Sequence, residues 1–262
     1  MMKGLKGLDG KVALITGGGK GIGRSIALAL AARGVRIVVT GRDERALGET
    51  VGEIAYGGGK ARHVPGDVRD PAHLSAAVDR AVEVFGGLDI VIANAGKSGR
   101  VDLGNDLARA EAILSTNLMG AYYTFDAAAK RMGGPGRLIA ISSVLAKLGV
   151  AGHAAYCASK AGILGLVRAT AHELAPRKIT CNAVLPGWVD TAMSENGIRE
   201  IATRDGKTPE EAKAAECAAV PLGRFLEPEE VADLVLFLCS SSGDAITGQA
   251  LSICGGATAV GG

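Results

Sequence analysis

The sequence predicts an α/β protein: a doubly wound parallel sheet of the Rossmann type, built as a single domain. Three observations predict it. Short β-branched runs alternate along the chain with longer alanine-rich stretches of helical spacing. The runs are apolar almost without interruption, as expected of strands covered on both faces. The first of them passes through a glycine-rich turn straight into a helix. Alternating strands and helices imply parallel pairing, and right-handed crossovers then lay helices on both sides of the sheet.

VALIT (12–16) reads as the first strand and IGRSIALALAARG as the helix after it, closed by Gly34. RIVVT (36–40) is the second strand, and Gly57 to Gly59 end the next helix before ARHVPG (61–66). LDIVIAN (88–94) is the fourth strand, and AILSTNLMGAYYTF reads as helical. Gly133, Gly134 and Gly136 lead into the strand GRLIAIS (136–142). The helix carrying YCASK comes next, followed by ITCNAVL (179–185). From Trp188 to about Val220 the rhythm breaks. One or two amphipathic helices are expected there, a candidate lid before the final helix and the closing strand in ITGQALSICGG.

Composition narrows the function. The 262 residues are expected to form one domain, 1–262, with 29 Lys and Arg against 27 Asp and Glu. Scattered basic residues and nine aromatic side chains leave no footprint for nucleic acid. The N-terminal apolar run is too short for a signal segment and no stretch approaches membrane-spanning length, so a cytoplasmic protein without membrane contact is expected. Cys157, Cys181, Cys217, Cys239 and Cys254 form no CxxC pair, and His63, His73, His153 and His172 lack ligand spacing. No metal site is expected.

TGGGKGIG (16–23) brings bare backbone amides and the positive end of a helix together at the C-terminal edge of the sheet. A phosphate fits there. Side chains at Gly17, Gly21 or Gly23 would obstruct the turn, the approach of a pyrophosphate or the packing of the helix.

TGGGKGIG, GDV (66–68), ANAG (93–96), STN (115–117), ISS (141–143), YCASK (156–160), NAVLPGWVDT (182–191) and ITGQALSICGG (246–256) follow one another as in a known family. In these motifs and their order the chain resembles the short-chain dehydrogenases/reductases over nearly its whole length. Two positions depart: Ala93 replaces a common Asn, and Cys254 stands where Asp commonly precedes the closing glycines.

Tyr156 and Lys160 lie at i and i+4 of a helix, so both side chains leave one face. An ammonium beside a phenol favours phenolate, which is expected to lower the Tyr156 pKa from its usual value near ~10. The resemblance gives Lys160 a second role, a hydrogen bond to the nicotinamide ribose. It assigns Ser143, rather than its neighbour Ser142, to hold the carbonyl oxygen, in the manner of an oxyanion hole. It assigns Asn117 to a water that links the lysine to solvent. The implied catalytic set is Asn117, Ser143, Tyr156 and Lys160.

The resemblance also implies the coenzyme contacts. Gly17, Gly19, Gly21, Ile22 and Gly23 would surround the pyrophosphate, with Lys20 a coenzyme contact in the same loop, and Asp67 and Val68 would border adenine. Asn94, Ala95 and Gly96 would pass the adenosine ribose. Pro186 and Gly187 would shape the turn before Val189 and Thr191, which would meet the carboxamide and phosphate. Two alternatives stay open: Asp67 as a turn residue and Asn94 as a link between strands.

Coenzyme choice rests on the end of the second strand, where a carboxylate would accept the ribose hydroxyls and select NAD. That position is Gly41; Arg42 follows, Lys20 stands in the glycine loop, and Asp43 comes too late. Two cations would then flank a 2′-phosphate that no acid opposes, so NADP(H) is expected. The expected activity is reduction of a ketone, a 3-oxoacyl thioester or related carbonyl, with Tyr156 as general acid. The alternatives are an NAD(H)-linked secondary or cyclic alcohol dehydrogenase and a non-catalytic coenzyme-binding sensor. Leu145, His153, Trp188 and Met193 are candidates for the substrate wall. A homo-oligomer, with a tetramer favoured, is expected from the alanine-rich helices and from the resemblance.

Overall fold

A computed structural model describes residues 5–259. The first half holds β1 (Val12–Thr16), α1 (Gly21–Ala31), β2 (Arg36–Gly41), α2 (Glu44–Tyr56), β3 (Ala61–Pro65), α3 (Pro71–Phe85) and β4 (Ile90–Ala93). The second half holds α4 (Leu107–Leu114), α5 (Gly120–Arg131), β5 (Gly136–Ile141), α6 (Ala154–Leu174), β6 (Ile179–Pro186), α7 (Ala192–Asp205), α8 (Pro209–Ala218), α9 (Pro228–Cys239) and β7 (Ala250–Ile253). The seven strands pair in parallel in the order β3-β2-β1-β4-β5-β6-β7. This is the Rossmann-type single-domain arrangement expected from the alternation of runs. Strand limits differ from the expected ones by a residue or two, because chain ends leave the ladder before the apolar pattern stops.

Alternation along each strand divides the core. Leu14, Val38, Val91 and Leu138 pack on α3, α5 and α6, in a cluster with Leu74, Phe125, Ile163 and Val167. Their neighbours Ile15, Val39, Ile92 and Ile139 face the other way, onto Ile26 and Leu30 of α1 and Val231 and Val235 of α9. Strands with apolar residues on both faces must be covered on both faces, which explains the unbroken apolar runs. Burying one such leucine or isoleucine contributes about 2 kcal/mol.

Strand order reverses between β1 and β4, so the loops that leave their C-terminal ends splay apart into a crevice. The glycine loop lines one side and residues 94–97 the other. The helical insertion expected from Trp188 to about Val220 resolves into α7 and α8, with its own small core of Ile198, Ala202, Ala212 and Phe225.

Helical structure is continuous from α4 to α5, but Ser115–Met119 forms a π-helical turn with Asn117 buried inside it. Such single turns inside a helix occur mostly at functional sites.

Candidate active site

The glycine loop is tight for reasons visible atom by atom. Gly17 sits at φ 67°, and its N–H donates to Thr40 O at 2.7 Å. A Cβ there would lie 2.9 Å from Asn94 Nδ2, and one on Gly23 would lie 2.3 Å from Gly17 O. A Cβ on Gly19 would lie 3.1 Å from Ala46 and Leu47, and one on Gly21, at φ 50°, would lie 3.2 Å from Thr191. Ile22 anchors the start of α1 in the core. No side chain caps α1 and its first turn holds no acid, so its positive end and glycine-bare amides suit a phosphate. The residues present therefore fit the pyrophosphate of a dinucleotide.

Thr16 and Asn94 tie the two walls of the crevice. Thr16 Oγ1 accepts from the N–H groups of Asn94 and Ala95 at 3.0 and 3.1 Å. Asn94 Nδ2 donates to Thr16 O and Gly17 O at 3.0 and 3.2 Å. Asn94 is thus the strand link that was one of its two readings. Thr16 was overlooked, although it opens the glycine motif.

The four expected catalytic residues come from three segments. Ser142 turns away and donates to Lys160 O at 2.9 Å, while Ser143 Oγ accepts from Leu145 N at 3.2 Å and lies near enough to Tyr156 to influence its acidity. Strand alternation separates the two serines in this way. Lys160 Nζ donates to Ile141 O at 2.9 Å and stands 5.7 Å from the centre of the Tyr156 ring. Asn117 joins its π-helical turn to both flanks: its Oδ1 accepts from Lys97 N at 2.8 Å, and its Nδ2 donates to Lys97 O and Ser159 Oγ, both at 3.0 Å. A Cβ on Gly96 would stand 3.3 Å from Asn117 Oδ1 and 3.5 Å from Lys160 Nζ. Ser159, inside the quoted YCASK motif, was the missed member of this network.

The acidities correct one expectation. Tyr156 keeps part of its surface open, yet dense protein around the phenol raises its pKa, and Ser143 lowers it only in part. The Lys160 ammonium donates to the Ile141 carbonyl. Burial also lowers the Lys160 pKa to about 8.

A second correction concerns the adenosine end. The expectation that no acid opposes Lys20 and Arg42 fails: Lys20 Nζ bonds Asp43 Oδ2 at 2.5 Å. Asp43 also caps α2 by accepting from Ala46 N at 3.1 Å, which turns its carboxylate toward the glycine loop. The hydrogen bond from Lys20, then that from the Ala46 amide, holds its pKa below the usual carboxylate value. Asp67 carries a fork from Arg69, at 3.1 Å from Nε and 2.7 Å from Nη2, and also accepts from Arg69 N. It is therefore engaged in its own turn. Val68 is buried against Gly120.

Gly187 N donates to Ile253 O at 2.9 Å where Pro186 ends β6, and a Cβ on Gly187 would lie 3.0 Å from Cys254 Cβ. Val189 is buried and bridges Leu226, while Thr191 caps α7 in a reciprocal box with Ser194. Trp188, one of the candidates for the substrate wall, packs against the cluster of Ile198, Ala202, Ala212 and Phe225. It stacks on Phe225 with centroids 5.1 Å apart and donates from Nε1 to Glu216 of α8 at 3.1 Å. Lys213 pairs with Asp190 at 3.0 Å beside it. Elsewhere on α7, Glu200 accepts from Arg109 Nη2 at 3.2 Å and from Arg100 N at 3.3 Å.

Fold and site together define a nicotinamide-dependent oxidoreductase of the doubly wound class. The family model described as enoyl-(acyl carrier protein) reductase matches residues 17–258. The 3-oxoacyl-(acyl-carrier-protein) reductase FabG of Aquifex aeolicus is 36% identical over 253 residues, 95% of this chain and 98% of that protein. The L-rhamnose 1-dehydrogenase (NAD(P)(+)) of Azotobacter vinelandii is 37% identical, with 94% of this chain and 96% of that protein covered. A crystal structure of a variant actinorhodin polyketide ketoreductase with NADPH superposes with a TM-score of 0.92 at 36% identity, covering 96% of this chain and 98% of that one. The chain belongs to the short-chain dehydrogenase/reductase family, as a ketoreductase-like oxidoreductase.

Proposed function

We propose that this chain is an NADP(H)-dependent reductase that converts a ketone, a 3-oxoacyl thioester or a related carbonyl, to a secondary alcohol. The observation that carries the reading is the meeting of Ser143, Tyr156 and Lys160 beside the crevice between β1 and β4. Bound nicotinamide would supply the hydride. Ser143 donates its hydroxyl hydrogen to the carbonyl oxygen and stabilises the negative charge that grows there. Tyr156 hands that oxygen its phenolic proton, and its raised pKa keeps the proton in place until it is needed. Lys160 holds the nicotinamide ribose and, once aligned with the phenol, restores its charge balance after proton transfer. Asn117 steadies the 95–97 segment and the water route to Lys160.

Gly17, Gly19, Gly21, Ile22 and Gly23 cradle the pyrophosphate at α1. Asp67, Val68, Asn94, Ala95 and Gly96 border the adenosine half, and Pro186, Gly187, Val189 and Thr191 the nicotinamide half. Arg42, with Lys20, binds the 2′-phosphate and favours the reductive direction of an NADP-linked enzyme. The ketoacyl reductases and the NADPH-bound ketoreductase among the relatives support this choice of substrate class and coenzyme. The Lys20–Asp43 pair favours a second reading, use of NAD(H) as well.

The reading extends to a cytoplasmic homo-oligomer, a tetramer by preference. Leu107, Met119 and Tyr122 are exposed on or next to α4 and α5, which supports self-association. No helix among the described residues is long and apolar enough to cross a membrane.

The test is loss of reduced-nicotinamide absorbance with NADPH or NADH and a panel of 3-oxoacyl thioesters, cyclic ketones and aromatic diketones. Turnover of a ketone with NADPH preferred is the expected result. Coenzyme binding with no turnover of any ketone would favour a sensor, and preference for NADH would remove the role given to Arg42.

A further inference from the structure

A cavity of about 590 Å³ lies at the edge of the sheet opposite the crevice, where β1, β4, β5 and β6 begin. Its polar lining includes Lys11, Asp89, Arg137, Lys178, Thr180 and Asp244. Leu138 and Cys181 pack into the cluster beneath α3, α5 and α6, so their strand neighbours Arg137 and Thr180 face the other way, toward the end of α9. The two are register partners on β5 and β6, and their side chains therefore stand side by side. Each carries a buried polar atom with no hydrogen-bond partner among the described residues, Arg137 Nε and Thr180 Oγ1. The other guanidinium nitrogens are engaged: Nη1 donates to Gly136 O at 3.0 Å, and Nη2 to Ser240 O at 3.4 Å and to the Asp244 carboxylate. Thr180 is 8% exposed and the Arg137 side chain 12%, so bulk solvent satisfies neither atom. The Asp244 side chain, by contrast, is 66% exposed.

We propose that this cavity binds a small molecule through an oxyanion, a carboxylate or a phosphoryl group, which displaces Asp244, takes the Nε and Nη2 edge of Arg137 and accepts from the Thr180 hydroxyl. Both unpartnered groups can donate, and they sit on neighbouring strands, so an acceptor oxygen suits the two together. Nε and Nη2 of a guanidinium point the same way, the arrangement that receives an oxyanion with two bonds. The Asp244 carboxylate already holds Nη2 and, being exposed, can swing into solvent. Charge agrees with an anion. Lys11 closes on Asp89 at 2.8 Å and Arg137 on Asp244, which leaves Lys178 as the lining cation without an ion pair among the described residues. Lys178 stands two residues before Thr180, on the left-handed turn into β6. The volume falls in the range of small-molecule sites, about 300–1,000 Å³. Because the cavity lies at the other end of the strands from the glycine loop, the inference stands apart from the coenzyme and the carbonyl substrate.

The experiment titrates the full chain calorimetrically with glycerol 3-phosphate and with butyrate, one probe for each oxyanion. The protein is first saturated with whichever of NADP+ and NAD+ it binds more tightly, so that the glycine loop is filled. At least one probe is expected to bind with a Kd of about 1 mM or tighter, and the tighter of the two tells phosphoryl from carboxylate ligands. Hydrogen exchange should slow at residues 136–138 and 178–181 and stay unchanged at 16–23. Thr180→Val keeps the β-branched shape and removes the hydroxyl. It should weaken binding about tenfold, while the probe-free protein melts no lower than wild type because an unpaired buried group is gone. Asp244→Asn, at an exposed position, should tighten binding at least about threefold by removing the competing charge. No binding of either probe at about 10 mM, equal affinity in wild type and Thr180→Val, or protection outside the two segments would each overturn the proposal. So would unchanged affinity in Asp244→Asn, which also guards against a Thr180 variant that fails to fold.

Discussion

The Lys160 ammonium donates to the carbonyl oxygen of Ile141 at 2.9 Å while it stands 5.7 Å from the centre of the Tyr156 ring. The lysine is thus buried with one strong partner and no carboxylate. Its burial, not a charge partner, sets its acidity.

Stability should therefore depend on pH through Lys160. Its folded pKa of about 8 lies below the ordinary 10.5, so between these values the unfolded chain binds more protons than the native one. The cost of the buried charge is complete below about pH 8 and is relieved as pH rises toward 10.5, a gain of about 3 kcal/mol at most. Denaturant melts across this window should show the wild type gaining on Lys160→Met. Parallel curves would contradict the assigned burial.

Tyr156→Phe should cut turnover by about two to four orders of magnitude and leave coenzyme affinity nearly unchanged. Because the raised pKa keeps the phenol protonated at neutral pH, ketone reduction should be flat there. Alcohol oxidation should climb with pH, since it needs the phenol as a base. Initial rates in both directions across pH check this. A phenylalanine variant with wild-type rates would exclude the role.

Asn117→Ala should strip three hydrogen bonds from a buried site, leaving Lys97 N–H, Lys97 C=O and Ser159 without their partner. A loss of about 2 kcal/mol or more is expected. Faster amide hydrogen exchange should be confined to residues 95–97 and the π-helical turn. Uniform exchange across the chain would argue against a local bracing role.

Two glycines should respond oppositely to alanine. Gly23→Ala would force a Cβ to 2.3 Å from Gly17 O, whereas Gly165 in α6 has open space beside it. Gly23→Ala should lose both dinucleotide affinity and stability. Gly165→Ala should stabilise the helix by about 0.5–1 kcal/mol, as thermal melts would show.

Trp188 is the chain's one tryptophan and stacks on Phe225 at an interplanar angle of 6°. Its fluorescence should therefore report docking of α7 and α8. Phe225→Leu should shift the emission, loosen the lid and raise KM more than it lowers kcat. An unchanged spectrum in that variant would separate the tryptophan from lid position.

Periodicity made most of the fold legible. Leu14 and Ile15 are both apolar because both faces of β1 are covered, and apolarity on both faces is written residue by residue. The glycine loop was legible for a similar reason: a Cβ at Gly17 or Gly23 would collide with fixed backbone or with Asn94 within one short segment and its neighbour. The Tyr156 and Lys160 pair follows from helical spacing.

Distances between segments were not legible. Spacing placed Lys160 beside Tyr156, but only the packed structure turned the ammonium to Ile141 and raised the phenol's pKa instead of lowering it. The residue count put Asp43 out of reach of the ribose edge, until the cap of α2 brought it onto Lys20. The stacking of Trp188 on Phe225 was not legible from spacing either.

The sequence by itself determined the parallel sheet, the phosphate turn and the family, because these depend on local sterics and on repeating patterns of apolar side chains. Only the tertiary structure decided which charges meet and how acidic the site is. Desolvation and ion pairing are set by groups far apart in the chain, and no local pattern records their separation in space.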